Sequence, residues 1–108
     1  MRFLFPAALA VALMTGAAAK ADFQAAGAGR FVSCGSWTSA RRDRAAVVYE
    51  QWILGFVSGV AWDLSAGRNP MNGLDNGAVW AWIDNYCQGH PLDVIGTASS
   101  AFANAHPR

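Results

Sequence analysis

Five sets of side chains in this sequence carry chemistry, and their types and spacing limit what that chemistry can be. Cys34 and Cys87 are the only thiols. In an oxidising compartment they have a single intramolecular pairing open to them, which closes a loop of 53 positions and stabilises a fold by about 4 kcal/mol in the chain-entropy account. Two reduced, buried thiols are the alternative in a chain that is not exported. His90 and His106 each stand beside a proline at a helix end, and a metal site would need further ligands converging on them. With both cysteines given to a bridge, no metal is expected. Ser33 and Ser36 lack a nearby histidine and aspartate in sequence, although a serine triad is a spatial arrangement. Asp63, Asp75, Asp84 and Asp93 could supply an acid and a base, but capping and solvation explain carboxylates at helix ends more simply. No catalytic residue is assigned, no cofactor is expected, and the chain is taken as non-enzymatic.

The fifth set is Arg41, Arg42 and Arg44, a basic cluster around Asp43 and close to Trp37. Such a run is usually a solvated surface. Its place next to an aromatic also suits recognition of an acidic partner, and arginine is favoured over lysine at interfaces. Five tryptophans, Trp37, Trp52, Trp62, Trp80 and Trp82, lie in the same stretch of chain, and each ring can bury roughly 150 to 250 Å². Trp62 and Trp80 fall off the apolar stripes of their segments. These two rings and the three arginines are the candidate partner-binding residues. Beyond Ala21 six arginines face six aspartates and one glutamate, with no lysine, so nucleic acid is a poor partner.

The elements that must position these groups follow from the pattern along the chain. Residues 1–21 have a basic start at Arg2, an apolar stretch from Phe3 to Met14, and small residues at Ala19 and Ala21. This is the layout of a cleaved export signal, too short for a stable membrane span. Removing it leaves 87 of the 108 residues, one small domain. Residues 22–30 are alanine and glycine with little to bury, and predict a flexible tail. Residues 31–108 predict a single all-α domain of three helices with a short extended lead-in, Phe31 to Thr38, tied down by Cys34. The first helix runs from Asp43, as N-cap, to Ser65, with Tyr49, Trp52, Ile53, Phe56, Val57, Val60 and Leu64 at helical spacing. Within it Gly55 and Gly59 stand one turn apart. Glycine costs about 1 kcal/mol in a helix interior, so this pair predicts close packing of another helix against bare backbone. Residues 66–74 carry turn chemistry at Gly67, Asn69-Pro70 and Asn72-Gly73. Asp75 caps a second helix to Gln88, which Gly89 stops. Pro91 opens the third, whose buried stripe is Leu92, Ile95, Ala98, Phe102 and Ala105.

Several segments together resemble a known family: Cys34-Gly-Ser-Trp37, Trp52-Ile-Leu-Gly-Phe-Val-Ser-Gly59, and Trp82-Ile-Asp-Asn-Tyr-Cys87 followed by His90-Pro91-Leu92. The arrangement is similar to the HdeA-like superfamily of small exported helical proteins, which includes periplasmic acid-stress chaperones and the Rap/Tai immunity proteins of type VI secretion. The resemblance implies a protein that works in the periplasm, or as a secreted protein, by binding another protein, with homodimers a further possibility. Gly55 to Gly59 and Tyr86 to Pro91 look closer to the immunity branch; the tryptophan beside the first cysteine looks closer to the chaperones. The chain departs from the chaperones in having few titrating carboxylates and many tryptophans, and from the immunity proteins in lacking further cysteines. The resulting expectation is an immunity protein that occludes a secreted effector. An acid-stress chaperone is the second expectation, and a small hydrolase or ligand-binding domain the third.

Overall fold

The computed structural model describes residues 24–63 and 69–106; the export signal expected over residues 1–21 lies outside them. The described chain is all-helical: α1 Ala28–Phe31, α2 Cys34–Arg42, α3 Val47–Trp62, α4 Asn76–Gly89 and α5 Ile95–Ala105. An all-α domain with a Cys34–Cys87 bridge is what the sequence predicts.

The lead-in differs from expectation. From Cys34 onward it is helical, because Ser33 caps it: the Ser33 hydroxyl accepts from the Ser36 amide at 3.0 Å. The next two orphan amides donate to a neighbouring loop, Cys34 N–H to the Asp93 carbonyl at 2.6 Å and Gly35 N–H to the Pro91 carbonyl at 3.1 Å. Helicity here is therefore partly a tertiary product. Asp43 does not start α3; it is the C-cap of α2, and α3 begins four residues later at Val47. Asp75 caps α4 as predicted, its carboxylate accepting from the Ala78 amide at 2.9 Å. Gly89 is the last helical residue and not the stop, which falls at His90. The chain then turns through Pro91 and Leu92, so α5 starts at Ile95, and Leu92 is 93% exposed instead of buried.

The core is built where these helices meet. Cys34 and Trp37 of α2, Ile53 and Val57 of α3, Val79, Ile83 and Cys87 of α4, and Ile95, Ala98 and Phe102 of α5 form one buried cluster. Helical spacing of three and four within each set puts every contributor on one face of its own helix. Pro70, in the turn before α4, is also fully buried. Within residues 22–30, expected as a tail, Ala28 begins α1 and Gly29 is buried, and a side chain at Gly29 would run into the Trp52 ring. Gly96 of α5 faces the same spot, where a methyl group would come within 2.6 Å of the Gly29 carbonyl oxygen. Two glycines thus let α1 lie directly on α5 and α3. An isolated antiparallel bridge between Ser33 and Val94 closes this seam. No helix of the described residues is long and apolar enough to cross a membrane.

Candidate partner-binding site

Helices α2 and α4 run antiparallel and are clamped at three levels. Cys34 is bonded to Cys87. One turn along, the buried Trp37 ring lies 6.1 Å from Trp80, and its Nε1–H donates to Asp84 Oδ1 at 2.8 Å. A further turn along, Arg41 donates from Nε and Nη2 to the two oxygens of Asp84, at 3.1 and 3.0 Å, and from Nη1 to Glu50 of α3 at 2.9 Å. The guanidinium also lies 5.6 Å from the centre of the Trp37 ring. The bidentate bond to Asp84 comes first among the causes that raise the Arg41 pKa above its ordinary value.

This geometry separates the candidate residues. Arg41 is engaged within the domain and joins three helices, so it is not the free surface cation the sequence suggested. Trp80 is half-buried against Trp37 and the core, not an exposed anchor. Arg42 and Arg44 are exposed. Arg42 donates to Ser39 Oγ at 3.2 Å and stands 4.0 Å from Asp43, with about two thirds of each side chain open to water (68% and 69%). Trp62 is 86% exposed at the end of α3, as its position off the stripe predicted.

The glycine pair is corrected as well. A methyl group at Gly55 or Gly59 would meet nothing within 4 Å among the described residues. No described helix packs there. Val48, Gln51, Gly55, Ser58, Gly59 and Trp62 are all exposed, and their spacing puts them on one uncharged face of α3. Val47 and Val48 add further apolar surface, at 61% and 67% exposed.

A second cluster escaped the sequence reading. Along α4 and its C-cap, His90, Tyr86 and Trp82 stack in succession at four-residue spacing, with ring centres 4.0 and 5.7 Å apart. The Trp82 ring meets Phe102 and His106 of α5 edge-on, at 5.6 and 5.9 Å. Each histidine places Nδ1 within hydrogen-bond distance of a carbonyl four residues back, Tyr86 at 2.8 Å and Phe102 at 2.9 Å. The Tyr86 hydroxyl donates to Asp93 at 2.7 Å. Burial, then this bond and the Asp93 charge, push the phenol up to about 12. The stack is a structural seam between α4 and α5: its hydroxyl and both Nδ1 atoms already have partners inside the domain. The signal was present in sequence as Trp82-x3-Tyr86-x3-His90.

No group of three or more histidine, cysteine, aspartate or glutamate side chains among the described residues could hold a metal ion. Ser33 is occupied as a helix cap and Asp75 likewise. No protein-family model, curated protein or solved structure matches this chain.

Proposed function

We propose that this chain is an exported, non-enzymatic protein-binding domain of HdeA-like type, acting in the periplasm, and that its specific form is an immunity protein occluding a secreted effector. The observation that carries the reading is the outer face of α3. It holds the exposed Trp62 indole, two valines and two glycines that no part of the described domain covers. Tryptophan is enriched in the buried anchors of interfaces, and bare glycine backbone allows another chain to approach closely. Glycine in a helix weakens it by about 1 kcal/mol, and no described residue packs on this pair to compensate. The disulfide is compatible with export to an oxidising compartment.

Site-specific photo-crosslinking in the producing cells tests this reading. A photoreactive residue at position 62 is expected to give one discrete protein adduct at neutral pH, and the same residue at position 97, an exposed site on α5, none. An adduct of twice the chain's mass would assign the face to a second copy. Absence of any adduct at position 62 would sink the reading.

One observation favours the second reading, an acid-stress chaperone. The Arg41 bridges to Glu50 and Asp84 tie α2, α3 and α4 together through carboxylates, so this junction of three helices depends on ionised side chains, while the Cys34–Cys87 bridge keeps α2 tethered to α4. On that reading position 62 gives many adducts, and only after acidification.

A further inference from the structure

We infer that the groove between the C-terminal end of α2 and α4 binds an acidic peptide segment of the partner, with Arg42 and Arg44 as the groups that meet its carboxylates. This deepens the protein-binding reading and rests on it.

The inference starts from the backbone of Arg44. Helix α2 ends with the Arg44 amide donating to the Arg41 carbonyl at 3.2 Å and the Ala45 amide donating to the Ala40 carbonyl at 2.8 Å. This pair of bonds is the Schellman termination, whose reversing residue takes a left-handed conformation and is usually glycine. Here that residue is Arg44, at φ 56°, and it is the only non-glycine with positive φ among the described residues. An L-residue with a long side chain is strained there, where glycine is not. The fold alone therefore favours glycine at position 44. Strained residues of this kind cluster at binding and catalytic sites.

The surroundings show what task fits. The groove has a volume of about 490 Å³ and is lined by Thr38, Arg41, Arg42, Arg44, Asp84 and Gln88. Its lining carries three guanidiniums and one carboxylate. Asp84 accepts both forks of Arg41 and the Trp37 indole, and Glu50, outside the groove, takes the remaining Arg41 donor. The anchored pair is thus neutral and fixed, and the two exposed guanidiniums beside it, Arg42 with one bond to the neutral Ser39 hydroxyl, are the cations open to a ligand. Asp43 competes for Arg42 only at 4.0 Å and in contact with water. Thr38 and Gln88 add neutral donors and acceptors suited to a peptide backbone. Planar guanidinium forks bind carboxylates in a bidentate manner.

The test uses the disulfide-bonded protein produced from the full 108-residue chain. The probe is a fluorescein-labelled hexaglutamate peptide followed by anisotropy at low ionic strength, with hexalysine as the control peptide. Arg42→Gln and Arg44→Gly are each expected to weaken hexaglutamate binding about threefold, the range of single exposed ion pairs. Arg30→Gln, which changes net charge equally at a distant site, is expected to leave it unchanged. Arg44→Gly is also expected to raise the urea midpoint, and that rise combined with weaker binding is the signature a merely structural arginine would not give. Unchanged binding by Arg44→Gly overturns the inference, as does a fall in its urea midpoint. Inorganic phosphate displacing the peptide at equimolar concentration would overturn the peptide assignment in favour of a small-anion site. If the groove fails while position 62 still crosslinks one protein, the protein-binding reading stands and only the acidic-segment assignment falls. Loss of the position 62 adduct removes the reading itself.

Discussion

Asp84 accepts from the indole of a tryptophan with no exposed surface and from two nitrogens of Arg41. Removing the acceptor strands the Trp37 N–H in the interior, where an unsatisfied donor costs about 1 to 3 kcal/mol. Asp84→Ala is therefore expected to lower stability in urea unfolding by about 2 kcal/mol, and Asp84→Asn, which keeps an oxygen for the indole, by roughly half of that. Arg42→Ala should move it by less than about 0.5 kcal/mol. Tyr86 gives a second, pH-dependent expectation. Its phenol titrates at about 12 in the fold against about 10 in the unfolded chain, so the neutral hydroxyl is the form the fold favours. The stabilisation is complete below pH 10, declines between about 10 and 12 as the unfolded chain ionises first, and is lost above. Alkaline unfolding curves should show this decline, and Tyr86→Phe should flatten it while lowering stability at neutral pH by about 1 kcal/mol. Sequence placed Arg41, Trp80 and Asp84 in the right region but not in these roles. A cation among cations looks free until the fold brings a carboxylate from 43 positions away.

Among the helices, the glycines carry the sharpest contrast. Gly55 and Gly59 face open space, whereas Gly29 and Gly96 sit where a side chain would strike the Trp52 ring or the Gly29 carbonyl. Alanine at 55 or 59 should therefore stabilise the isolated protein by up to about 1 kcal/mol each, and thermal unfolding of the single variants checks it. Alanine at 29 or 96 should destabilise by about 1 to 3 kcal/mol through overpacking. A stabilising Gly55→Ala that also abolishes the position 62 crosslink would tie the bare backbone to the partner. A destabilising one would show that α3 is covered within the chain. Helical spacing showed that Gly55 and Gly59 share a face, because that depends on neighbours along one helix. It could not show which face is covered, since that depends on where α1 and α5 lie. The close-packing pair was instead Gly29 and Gly96, 67 positions apart, one of them in an alanine–glycine stretch with no periodicity to mark it. The α4 boundary was legible because its cap, Asp75, is local. The start of α2 has a local cap too, Ser33, but two of its amides are satisfied by the Pro91 and Asp93 carbonyls, which no local pattern shows.

At the scale of the whole molecule the question is what keeps α2 on α4. The Cys34–Cys87 bridge spans 53 positions, and closing a loop of that length in the unfolded chain is worth about 4 kcal/mol. A domain of this size has about 4 to 13 kcal/mol of net stability in total. The second restraint is the Trp37, Arg41 and Asp84 clamp, whose Arg41–Asp84 pair is only partly buried, with side chains 30% and 35% exposed, and which is correspondingly weak. If the bridge dominates, a Cys34→Ser, Cys87→Ser variant should lose more than about 15 °C in Tm. Its far-UV circular dichroism at 37 °C should show helix loss, because freeing α2 also exposes Trp37, the largest buried side chain. If instead the variant keeps its Tm within a few degrees, the clamp and the amides capped by Asp93 and Pro91 hold α2 without covalent help. The same variant then separates two routes to function. A partner surface formed by the outer face of α3 alone should survive loss of the bridge as long as α3 stays packed on α5. The groove of Arg42 and Arg44 requires α2 to stay against α4, so hexaglutamate binding should disappear wherever loss of the bridge frees α2, even where the position 62 adduct persists.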